Sequence, residues 1–148
     1  MKSTYAEGPF YSITLDDGVA TCRVWGNPDL DWAEGARWAH EIAKALLTLA
    51  AGPRESARAL LFDDREAPPV VGPRTQTSLG TFLSAWERRG RRVAFVLDAS
   101  PVRGLQARRL LAEWAPKHGR AFTSIEEARA WVLARDADSP GPTKPSPR

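Results

Sequence analysis

Cysteine is almost absent. Cys22 is the only one in 148 residues, so no disulfide can form within the chain, which fits a reducing compartment. Metal-binding residue types are equally sparse. His40 and His118 lie far from each other and from Cys22, without the clustered spacing a zinc site needs. Glycine-rich phosphate loops are missing too, since neither G-x-G-x-x-G nor G-x-x-x-x-G-K-[ST] occurs. No apolar run approaches the roughly 20 residues of a membrane span, and the N-terminus leads into no stretch of signal-peptide character. These absences point to a cytoplasmic protein with no transmembrane segment, no metal and no other cofactor.

What is present suits one domain. A chain of this length can bury roughly two thirds of the surface it would expose unfolded, enough to be stable without staples. The net charge of +3 conceals a split. Residues 1–73 hold 7 Lys/Arg against 11 Asp/Glu, a net of −4; residues 74–148 hold 14 against 7, a net of +7. A basic half can meet an acidic partner or nucleic acid. Here the basic residues are dispersed and the tryptophans fall largely on core-facing registers, so a nucleic-acid stripe with stacking aromatics is not expected.

Periodicity orders the elements. Tyr11, Ile13 and Leu15 alternate with Ser12 and Thr14, the period of a strand. Asp16-Asp17-Gly18 supplies a hairpin turn, and Val19 to Trp25 follows as the partner strand with Cys22 facing the core. Asp29 or Asp31 can cap a helix from Trp32 to Ala51, whose Ala36, Ala39, Ala43, Leu46 and Ala50 make an apolar stripe small enough to lie close to a sheet; Gly52-Pro53 ends it. Ala59–Phe62 and Val93–Leu97 are apolar runs of the kind buried on both faces, ending in Asp63-Asp64 and in Asp98. Helical spacing connects Leu79, Phe82, Leu83 and Trp86, and again Ala107, Leu110, Leu111 and Trp114, which Pro116 stops. Gly119–Phe122 reads as a short strand, and Ser124 with Glu127 opens a last helix as a capping box. The expected fold is α/β: β-β-α-β-α-β-α-β-α, a mixed sheet with an N-terminal antiparallel hairpin and parallel core strands covered by helices. One domain spans residues 1–135. Four prolines among the last 13 residues and no apolar pattern mark 136–148 as a disordered tail.

Two sets of residues invite chemistry. Asp63, Asp64 and Asp98 stand at the carboxyl ends of neighbouring parallel strands, the edge where open α/β sheets bind ligands. Such a cluster could hold Mg²⁺, as hard oxygen ligands do, but acids after buried strands more often simply solvate the chain as it leaves the sheet. Thr75, Thr77 and Ser78 stand where the second helix begins. A hydroxyl there can be an N-cap, and a phosphate there would face orphan N–H groups and the positive end of the helix dipole.

The order of elements resembles the STAS domain of bacterial anti-sigma-factor antagonists and its CRAL-TRIO-related relatives, over roughly Val19 to Ala134. The residues that carry the likeness are the strand ending in Asp63, the Leu79-Gly80-x-x-Leu83 helix, the Arg92–Asp98 strand and the closing Phe122-x-Ser-Ile-Glu-Glu-Ala-Arg-Ala-Trp131. Antagonist-type members carry Asp-Ser-Ser-Gly-Leu-Gly at that helix, with the second serine phosphorylated. Aligned on Leu79-Gly80, Thr77 takes the phosphoacceptor position, Ser78 the glycine and Thr75 the aspartate. The aspartate is thus replaced, and the loop before it is longer and contains Pro68-Pro69. The resemblance implies a non-enzymatic regulatory domain that docks a protein partner, a kinase or anti-sigma-like regulator, around Thr75–Leu83. It also implies an alternative, a carrier or sensor of a lipid or small apolar ligand, should the proline-bearing loop cover a cavity. No acid, base and nucleophile converge in the sequence, so an enzyme ranks last.

Overall fold

The computed structural model describes residues 2–26, 31–67 and 72–134. Six strands form one sheet in sequential order: β1 (Ser3–Gly8), β2 (Tyr11–Asp16), β3 (Val19–Trp25), β4 (Ala59–Glu66), β5 (Arg92–Val96) and β6 (Gly119–Phe122). The first three are an antiparallel meander, and β3 to β6 run parallel. Four helices accompany them: α1 (Trp32–Ala51), α2 (Pro73–Arg88), α3 (Pro101–Trp114) and α4 (Ile125–Leu133). This is the expected mixed α/β sheet, with one strand more than the periodicity showed. Strand β1 escapes a pattern search because Ser-Thr-Tyr-Ala-Glu-Gly is an edge strand with mostly exposed residues. The proposed tail and Pro68-Pro69 lie outside the described residues.

Local chemistry explains the boundaries. Asp17 (φ 54°) and Gly18 (φ 77°) both adopt positive φ, as a two-residue turn between twisted strands requires. Asp31 caps α1: its Oδ1 accepts from the Glu34 N–H at 2.8 Å, and the Asp31 N–H donates to Glu34 Oε1 at 3.4 Å. Ser124 likewise accepts from the Glu127 N–H at α4. Helix α2 starts earlier than its apolar stripe, with Gly72 at the cap and Pro73 in the first turn, a position where proline loses no hydrogen bond.

The alternation of the strands divides the core. Cys22, Leu60, Phe62, Val93 and Phe95 join Ile13 on the face covered by α1, α2 and α3. Val19, Ala59, Leu61, Ala94 and Val96 face α4 through Ala128 and Val132. One row crosses the whole sheet in register, from Ala6 through Ile13, Cys22, Phe62 and Phe95 to Ala121. Phe62 stacks between Phe82 and Phe95, at 5.5 and 4.8 Å between ring centres. Cys22 is fully buried, and burial pushes its thiol pKa up, so it stays a small core residue.

Helix α1 departs from expectation. Its alanine stripe does not bring it down onto the sheet; its closest backbone approach is to α2. The sheet opposite carries Tyr11, Ile13 and Phe62, while Ala33 and Ala36 border a groove that α1 shares with α2. Helices α2 and α3 also approach closely. A Cβ at Gly80 would stand 2.6 Å from the Trp114 ring, so only glycine fits there.

Several arginines of both halves turn toward carbonyl oxygens. Arg91, 3% exposed, donates to Leu49 O, Gly52 O and Ala57 O, closing the end of α1. Arg92 donates to Trp131 O and Ala134 O at the end of α4, and Arg54 to Arg89 O and Gly90 O after α2. A guanidinium with several donors satisfies helix carbonyls that otherwise lack partners.

Candidate functional site

At the carboxyl ends of β3 and β4 the structure contains an apolar cavity of about 130 Å³. Phe10, Trp25, Trp38, Ile42, Phe62 and Phe82 supply most of its wall. Its size is close to the roughly 150 Å³ of an apolar cavity that admits benzene. The cavity follows from side-chain size. The second half of α1 fills its side of the core with Leu46 and Leu49, whereas the first half presents Gly35 and Ala39. A Cβ at Gly35 would meet nothing within 4 Å. Two anchors frame the mouth: the Trp25 indole N–H donates to Pro9 O at 2.9 Å, and Phe10 meets Trp38 edge to face at 5.8 Å.

One ionisable group, Asp64, is among the described residues lining the cavity. It does not follow β4, as the apolar run had suggested, but lies within it, because pairing with β3 continues from Arg23↔Asp63 to Trp25↔Glu66. Between those pairs β4 holds one more residue than β3, a bulge, and such bulges re-aim side chains. Asp64 shares the Phe62 face and points into the cavity, 22% exposed. Burial raises its pKa to about 7; Arg103 pulls it down, while Asp63 and Asp98 push it further up.

Arg103 of α3 organises the cluster behind Asp64. It donates to Asp64 O at 2.9 Å and Ala67 O at 2.8 Å, and stands 3.5 Å from both Asp64 Oδ2 and Asp98 Oδ1. Asp98 also accepts from the Ser100 N–H ahead of α3. Asp63 belongs elsewhere: it is on the α4 face, where Arg65 Nε and Nη2 grip both its oxygens at 2.8 and 2.7 Å. Burial alone would raise its pKa, but the Arg65 bonds outweigh that and lower it. Asp63 and Asp64 therefore lie on opposite faces of β4, and no group of three metal-ligating side chains occurs among the described residues.

The hydroxyls also divide. Thr75 lines the cavity. Thr77 and Ser78 instead border the exposed groove between α1 and α2, beside Arg37, His40 and Arg74. None is the N-cap, which is Gly72; Thr77 Oγ1 donates to Pro73 O at 3.1 Å, inside the helix. Arg103 was overlooked at the sequence level, although it sits four residues before Ala107 and eight before Leu111, on the buried stripe of α3. A cation at that register signals an inward-facing partner. Gly35 and Trp38 gave no such signal, since only the packing of α1 against α2 makes them walls. Among the described residues no helix is long and apolar enough to cross a membrane. Comparison with protein-family models, curated proteins and solved structures finds no match.

Proposed function

We propose that this chain is a STAS-like, CRAL-TRIO-related domain that binds a small apolar ligand, as a carrier or sensor and not as an enzyme. What supports this reading is the aromatic-walled cavity at the carboxyl edge of the sheet, with Asp64 as the one ionisable group among its described lining residues. Apolar walls with few polar groups are the usual composition of small-molecule sites. The element order from Val19 onward fits the resemblance. Native mass spectrometry of the protein purified from its own host tests the reading. The expected result is an added small-molecule mass that organic extraction removes and that Ala39→Phe, which fills the cavity, greatly reduces. An adduct unchanged in Ala39→Phe, or no adduct in either protein, would count against it.

A second reading is docking of a protein partner, a kinase or anti-sigma-like regulator, through α2. The observation favouring it is the exposed groove in which Thr77 and Ser78 stand beside Arg37, His40 and Arg74, cations that a phosphate on either hydroxyl could reach. Thr77→Glu should then alter recovery of that partner from host lysate while leaving the cavity's ligand in place.

A further inference from the structure

We infer that the cavity selects a small ammonium ion, an amine carried on a body about the size of one aromatic ring, with its charged nitrogen on the Asp64 carboxylate. This deepens the ligand-binding reading and rests on it. Five aromatic residues, Phe10, Trp25, Trp38, Phe62 and Phe82, line it around Asp64, the one carboxyl group among its described lining residues. Aromatic faces attract cations through the ring quadrupole, and a carboxylate completes the pair. An anionic head would meet that carboxylate with no cation among the described residues lining the cavity. Arg103, the cation behind it, is held by Asp64 O and Ala67 O and does not line the wall. A neutral body gains only the apolar contacts. The Trp25 N–H, a donor on the wall, is already given to Pro9 O.

The groups around Asp64 set how binding responds to pH. Arg103 approaches from α3, Asp98 from the end of β5, Asp63 from β4 itself, and the buried Cys22 thiol from β3. The residues that α1 and α2 present to the cavity, Gly35, Trp38, Ala39, Ile42, Thr75, Leu79 and Phe82, bring no ionisable carboxyl or amine. With its pKa at about 7, Asp64 is charged above neutrality and protonated below it. An alkylamine stays protonated across that range. Its affinity therefore rises as pH increases toward 7 and then levels off.

The test uses three probes with similar bodies, 2-phenylethylamine, ethylbenzene and phenylacetate, titrated into the full chain by ligand-observed NMR at pH 5.5 and pH 8. At pH 8 the amine should bind about tenfold more tightly than ethylbenzene, with phenylacetate weakest. That preference should shrink about tenfold or more by pH 5.5. Asp64→Asn, checked for folding by near-UV circular dichroism, should lose the preference for the amine over ethylbenzene. Equal binding of amine and ethylbenzene in the parent, a preference for the anion, or a pH-independent preference overturns the inference while leaving an apolar site. Absence of binding by ethylbenzene and amine alike removes the ligand-binding reading itself. The parent's pH response decides the matter even if Asp64→Asn does not fold.

Discussion

The two ends of the parallel strands solve the burial of charge in opposite ways. At the amino end, three carbonyl oxygens receive the buried Arg91 guanidinium, and the Trp86 ring lies 5.9 Å away. Trp86 is fully buried and its indole N–H donates to Leu46 O at 3.1 Å. Large side chains leave no space there. At the carboxyl end the same helices, α1 and α2, face each other through Gly35, Ala39 and Thr75, and a buried acid looks into the gap. The charge at the amino end is met by three carbonyl oxygens, although burial and the neighbouring Arg54 and Arg89 still lower its pKa. The charge at the carboxyl end is matched incompletely by Arg103, and a carboxyl whose pKa is raised by burial beside an open cavity is the pattern of a binding site.

The largest effect should come from the closed end. Trp86→Ala should lower unfolding stability in urea by about 3–5 kcal/mol, since the cavity it leaves is enclosed on all sides. Trp38→Ala, on the cavity wall and only half-buried, should cost clearly less. Equal losses for the two would erase the contrast between the ends.

The next effect carries a sign. Because Asp64 binds its proton more tightly folded than unfolded, stability should fall as pH rises from about 4 through about 7. Asp63 acts oppositely: its lowered pKa contributes stability above the ordinary aspartate range, which is lost as pH falls through the lowered value. Asp64→Asn should remove the first dependence and leave the protein more stable than the parent at pH 8, because the Arg103 attraction only partly offsets the burial of the charge. Denaturant titrations at pH 5 and pH 8 measure this, and a variant less stable than the parent at pH 8 would mean that the Arg103 pair dominates.

The smallest effect belongs to the cavity rim. Gly35 sits inside α1 with open space beside it, so Gly35→Ala should stabilise the protein by about 0.5–1 kcal/mol through helix propensity alone. Thermal unfolding reads this directly. A loss of stability would show that the methyl group meets a neighbour.

Local pattern was enough for most of the architecture. Alternation gave β2 and β3, the Asp17-Gly18 turn joined them, and the Leu79/Phe82/Leu83/Trp86 spacing placed α2 with Trp86 inward. Each of these depends on contacts between residues near in the chain, which is what periodicity records. Strand β1 was invisible because an exposed edge strand has no apolar face to alternate. The candidate site was legible only in fragments. The acids and hydroxyls were found, but not that Asp64 and Thr75 meet across a cavity while Asp63 and Thr77 turn away from it. That division accompanies a one-residue bulge in β4 and the packing of α1 against α2, which involve residues far apart in the chain. Amino-acid order determined which segments become strands and helices and which of their faces turn inward. Only tertiary packing decided where the faces fail to close, because a void is the difference between volumes contributed by residues far apart in the chain.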